Sequence, residues 1–156
     1  MRHFIAAFTL LALAASARAE LTIISTEHRD AASFKRVSEY LTGKHSDGRY
    51  AVYRSDTSRR DGFYISLLAS EKPTLAQIKK VRVQFVRKGT QEIESFESPV
   101  ESLEKKRILV GFTGEEWNAS SSHPVAWKID LLNASGTSLE SAQSFLWTET
   151  PRSAEL

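Results

Sequence analysis

The chain reads as an all-β protein, an immunoglobulin-like antiparallel β-sandwich of about seven strands with one short N-terminal helix, and a small closed β-barrel is the alternative. Three observations predict it. From Arg49 onward, apolar side chains recur at every second position, the pattern of half-buried antiparallel strands. Turn residues separate these runs at spacings of roughly ten to twenty residues. Cysteine is absent, so the fold must rest on its apolar core without disulfides.

The elements follow in order. Met1-Arg2-His3, the apolar run Phe4 to Ala15 and Ala17-Arg18-Ala19 form a short basic start, a hydrophobic segment and a small-x-small cleavage site. That order is a secretory signal peptide over residues 1–19, with residues 20–156 as a single β-sandwich domain. The apolar run is too short for a membrane span, for which about twenty residues are needed. Cleavage removes Arg2 and Arg18 with no acid, so 21 Lys+Arg against 19 Asp+Glu becomes 19 against 19 in a mature chain of 137 of the 156 residues. The basicity is thus an export signal, and no clustered positive excess favours nucleic acid or an anionic membrane. Without Cys the chain cannot carry a lipoprotein anchor, and the polar end from Thr150 to Leu156 carries no lipid-anchor signal. The expected location is the periplasm or the medium, in a bacterial source. The sequons at Asn118 and Asn133 then carry no glycan.

Asp30 to Gly43 is the expected helix. Asp30 supplies an N-cap, Phe34, Val37 and Leu41 recur at helical spacing, and Gly43 closes the C-terminus. The strands are marked by Tyr50 and Val52; Phe63, Ile65 and Leu67; Val81, Val83 and Phe85; Ile108, Val110 and Phe112; and Val125, Trp127, Ile129 and Leu131. Gln91 to Glu97 and Leu139 to Trp147 are weaker. Asn133 to Thr137 joins the last two as a hairpin. Trp127 is the expected anchor between the sheets.

No catalytic constellation, metal site or cofactor motif is read from the sequence. His28, His45 and His123 lack partners at metal-ligand spacing. Ser120 to His123 has no nucleophile elbow and reads as a polar loop. Two loops hold the candidate binding residues. In Arg54 to Gly62, the guanidinium groups of Arg54, Arg59 and Arg60 suit paired hydrogen bonds to an anion, although Asp56 and Asp61 offset their charge and a hairpin tip laced by local ion pairs is the simpler reading. In Gly114 to His123, Glu115 and Glu116 stand beside Trp117, which either plugs one end of the sandwich or waits for a partner.

The segments Arg54-Ser55-Asp56…Asp61-Gly62-Phe63-Tyr64, Gly111-Phe112-Thr113-Gly114…Trp117, Ala126-Trp127-Lys128-Ile129-Asp130-Leu131 with Gly136, and Ser144-Phe145-Leu146-Trp147 resemble small exported bacterial β-sandwich proteins of unknown function. The resemblance covers roughly Phe34 to Trp147 and implies a fold without a mechanism. Two functions remain open. One is a non-catalytic binding or interaction module whose partner is another extracytoplasmic protein or a glycan. The other is a small extracytoplasmic hydrolase or carbohydrate-active enzyme using Glu115, Glu116 or His123.

Overall fold

The alternating runs sort into two stacked sheets in the computed structural model, which describes residues 19–70 and 75–147. The expected signal peptide lies outside the described residues apart from Ala19. Nine strands are present among the described residues: β1 (Ala19–Glu20), β2 (Thr22–Arg29), β3 (Tyr50–Arg54), β4 (Gly62–Leu68), β5 (Lys80–Val86), β6 (Ile93–Pro99), β7 (Arg107–Thr113), β8 (Ala126–Leu132) and β9 (Ser138–Gln143). Five form one sheet in the order β1-β9-β8-β5-β6, and four form the other in the order β2-β4-β7-β3. The protein is therefore all-β, and neither sheet closes into a barrel.

Two expectations about pairing are corrected. The sheets are not purely antiparallel, because β1 runs parallel to β9 and β3 parallel to β7. Arg54 to Gly62 is consequently no hairpin tip. It crosses from β3 to β4 over the end of β7, which lies between them. The apolar start at Leu21 continues as an eight-residue strand, because β2 pairs with β4 along its length. The last hairpin is present, but β9 ends at Gln143 and residues Phe145–Trp147 form a 3-10 turn.

The inner faces meet in one apolar cluster. Ile65, Leu67, Ile108, Val110 and Phe112 face Val81, Val83, Phe85, Trp127, Ile129 and Leu131 across the interface. Trp127 is buried there, as its alternation with Ile129 and Leu131 requires, whereas Val125 precedes β8 and is exposed. Burying a side chain of this size stabilises by about 1.5–3 kcal/mol.

Residues 30–49 depart most from expectation. The single helix is broken into a 3-10 turn over Ala31–Phe34 and a six-residue helix, α1 (Val37–Thr42), capped by Gly43 at φ 67°. Two of the three residues of the expected stripe point outward, Val37 and Leu41 being 75% and 81% exposed. What packs is Phe34, whose ring stands 4.8 Å from Tyr64 on the outer face of β4. So short a helix is held by such tertiary contacts and not by propensity.

Candidate functional site

Beyond β7 the chain turns at buried Gly114 into a 3-10 turn over Glu115–Trp117. The turn drops Trp117 into the end of the sandwich, where it is 4% exposed. Its ring lies 5.3 Å from Phe112 and 5.8 Å from Phe85, with tilted and edge-on geometry. The Arg87 guanidinium covers it at 5.1 Å. Trp117 is a plug, and its face is not free for a partner.

Arg87 is itself clamped. It holds Glu94 through Nε and Nη2 (2.5 and 2.9 Å) and Glu116 through Nη1 and Nη2 (2.6 and 3.0 Å). Bidentate pairs of this kind are the strongest ordinary ion pairs. Hydrogen bonding to Arg87 holds the Glu116 carboxyl below the usual carboxylate range, and Glu116 in turn raises Arg87. A carboxyl kept ionised in this way is a poor proton donor. The Glu115 side chain is 92% exposed, with Arg59 Nη1 at 3.8 Å.

Outside the plug lies an open depression of about 310 Å³. Arg87, Lys88, Glu116, Trp117, Ser122 and His123 line it together with Ser121. His123 leans on Phe63 at 6.0 Å and its Nδ1 lies 3.0 Å from the Ser121 carbonyl.

The Arg54 to Gly62 loop reaches the same end of the fold. Thr113 joins the two loops: its N–H donates to Ser55 Oγ (2.8 Å) and its hydroxyl donates to the Asp56 carbonyl (2.7 Å). Asp56 is kept acidic by hydrogen bonds from the Ser58 hydroxyl and N–H. The three arginines are each engaged, Arg59 in part within its own loop and all three with partners beyond it. Arg54 donates to the Tyr64 hydroxyl at 2.8 Å and approaches Asp47 at 3.7 Å, Arg60 pairs with Glu39 at 3.0 Å, and Arg59 lies between Asp61 (3.6 Å) and Glu115 (3.8 Å). Of the ion pairs expected to be local only Arg59–Asp61 is so, among the described residues, and the others bind this loop to residues 39–47 and to the Trp117 turn.

Those residues add a contact that spacing did not reveal. His45 Nδ1 faces Glu39 at 3.2 Å and Nε2 faces Asp47 at 2.7 Å. Both contacts are donated hydrogen bonds only when the ring carries both protons. His45 and Arg60 together hold the Glu39 carboxyl below its usual range. Among the described residues, no group of three or more His, Asp or Glu is arranged to hold a metal ion.

The structure thus unites Glu116 with Arg87, Arg59 with Glu115, and both candidate loops through Thr113, while Arg54 and Arg60 face another surface. Sequence reading missed Arg87, Thr113, His45 and Asp47. Only Arg87 left a signal, as the last residue before the Lys88-Gly89 turn and across from the acidic run of β6. Comparison with protein-family models, with curated proteins and with solved structures finds no match for this chain.

Proposed function

We propose that the protein is an exported, non-catalytic binding module of the periplasm or medium, with residues 20–156 as one immunoglobulin-like domain. Strand order supports the fold reading. β9-β8-β5-β6 follows the G-F-C-C′ order of a variable-type sheet, and β2-β4-β7 follows A-B-E. β3 departs from it, entering before β4 and pairing parallel to β7. The likeness to small exported bacterial β-sandwich proteins belongs to the same reading.

The observation that carries the function is the end depression, whose polar rim is pinned before any partner arrives. Arg87 is fixed by two carboxylates and by the ring beneath it, so little side-chain entropy remains to be lost on binding. Loops at the ends of a sandwich are also where recognition concentrates. The rim mixes cation, carboxylate, imidazole and hydroxyl, which suits a hydrogen-bonding partner, a glycan or the polar surface of another extracytoplasmic protein. The enzyme reading finds no such support, because its carboxyl is neutralised by Arg87.

The test is Ser122→Trp, which fills the depression from a partly exposed position. Parent and variant, each shown to melt alike, are immobilised and challenged with a glycan panel and an extracytoplasmic extract. Capture by the parent that fails with Ser122→Trp supports the site. Equal capture by both removes recognition from this end of the fold.

A further inference from the structure

On the outer face of the four-stranded sheet, residues 29–49 arch over β3 and β7 and leave an enclosed recess of about 70 Å³. Arg29, Ser33, Arg36, Ser46, Asp47 and Tyr50 supply its polar wall, and Val52 and Leu109 lie against it from the sheet. The geometry points to a phosphate-binding site in this recess, for inorganic phosphate or the terminal phosphate of a monoester, with Arg36 and Arg29 as the principal ligands.

Three observations carry this. The Arg36 side chain is exposed and, among the described residues, its guanidinium makes no ion pair or hydrogen bond. It lies against Gly48, where a Cβ would overlap it, and Gly48 stands at φ 61°, a conformation that favours glycine. A guanidinium beside a cavity with its donors unused is what a bound oxyanion completes.

Charge in and around the recess also favours an anion. Asp47 is occupied by His45 at 2.7 Å and approached by Arg54 at 3.7 Å, while Glu27, outside the wall, takes Nε and Nη2 of Arg29 (2.9 and 2.6 Å) and leaves Nη1 for an anion. Arg54 Nη2 is buried close by with no hydrogen-bond partner. Hydrogen bonding from Arg107, with the smaller added charge of Arg29, pulls the Tyr50 phenol below its usual range against the opposing effect of burial.

Shape gives the third. Ser46 comes from the covering segment and Tyr50 from β3, so residues with a hydroxyl line the space from different sides along with the two arginines, whereas the Ser33 hydroxyl is already donated to the Asp30 carbonyl (2.6 Å). A tetrahedral phosphate presents acceptors in as many directions, whereas a planar carboxylate does not. The recess exceeds several times the roughly 10–15 Å³ that one water needs, enough for a small ion.

The experiment titrates the exported protein with inorganic phosphate and with glycerol phosphate, against sodium chloride and sodium acetate at equal ionic strength. Calorimetry and amide chemical shifts are read together. The expected result is saturable binding of at least one phosphate probe, shifts centred on residues 29–50, and a loss of tenfold or more in Arg36→Gln. Lys88→Ala, at the end depression, leaves that affinity unchanged, so failure here is separable from failure of the end depression. Which probe binds separates the free ion from the ester. Binding no stronger than acetate, or equal affinity in parent and Arg36→Gln, overturns the proposal.

Discussion

Replacing Trp117 by Ala tests the account of the sandwich end. The side chain is 4% exposed and borders Phe85, Phe112 and the Arg87 guanidinium. Truncating a buried tryptophan costs about 3–5 kcal/mol, and the cavity here would open toward the depression, so solvent entry relieves part of the void. Loss of the ring also strips Arg87 of its cation–π contact, a further ~0.5–1 kcal/mol. For a domain of this size, 1 kcal/mol moves the midpoint by about 3–5 °C, so Trp117→Ala should melt about 10–20 °C below the parent. Glu115→Ala is the control, since its side chain is 92% exposed and its change should stay within about 0.5 kcal/mol. Calorimetry and urea unfolding monitored by circular dichroism read both. A Trp117→Ala protein melting within about 3 °C of the parent would refute the plug. Because the ring is structural, lost partner binding in that variant says nothing about direct contact.

Glu140 is fully buried and accepts from the Ser70 N–H (3.1 Å) and hydroxyl (2.8 Å), so Glu140→Ala should cost about 2–3 kcal/mol in urea unfolding and Glu140→Gln distinctly less. Equal losses would show that the hydrogen bonds are not what matters. The Glu116 carboxyl is more acidic folded than unfolded, so its clamp contributes fully above the ordinary carboxylate value of 4.5 and is lost as pH falls through its lowered folded value. Glu116 is half exposed, so the stability difference between parent and Glu116→Gln should be about 1 kcal/mol or less at about pH 6 and fade as pH falls through the lowered folded value; a pH-independent gap contradicts the assignment. Protein purified from its native host should begin at Glu20, and an intact mass retaining Met1 to Ala19 would remove the export reading.

Among the described residues' nine strands, β3, β4, β5, β7 and β8 were legible because each sets apolar residues at a period of two against turn residues, while β6 and β9 lack that alternation and read more weakly. β2 was missed because Thr22–Arg29 is a polar edge strand: only Ile23 and Ile24 are apolar, and both are exposed. The long helix failed for a related reason. A thin stripe of Phe34, Val37 and Leu41 fits helical spacing equally well when one member packs and the others face water. Parallel pairing of β3 with β7 leaves no mark in a five-residue strand. At the site, the residue types were readable and their partners were not. Arg87 is 29 positions from Glu116, and Arg60 is 21 from Glu39, so no local pattern could pair them.

The Ser55 to Asp61 loop joins the two proposed surfaces, which decides how its variants must be interpreted. Arg60 reaches Glu39 on α1, and Glu39 otherwise keeps only His45. Removing Arg60 therefore loosens the segment that roofs the phosphate recess, although Arg60 does not line it. Weakened phosphate binding in such a variant measures the roof and not a ligand. Arg59 is different, since its contacts at 3.6 and 3.8 Å are long and partly solvated and contribute little. Thr113 lies between these extremes: nearly buried, it exchanges hydrogen bonds with Ser55 and Asp56 and directly precedes the turn that carries Trp117. Its loss would disturb the plug and the loop together. Ligand roles at either surface are thus assigned cleanly only through residues outside this loop, Arg36 at the recess and Ser122 at the depression.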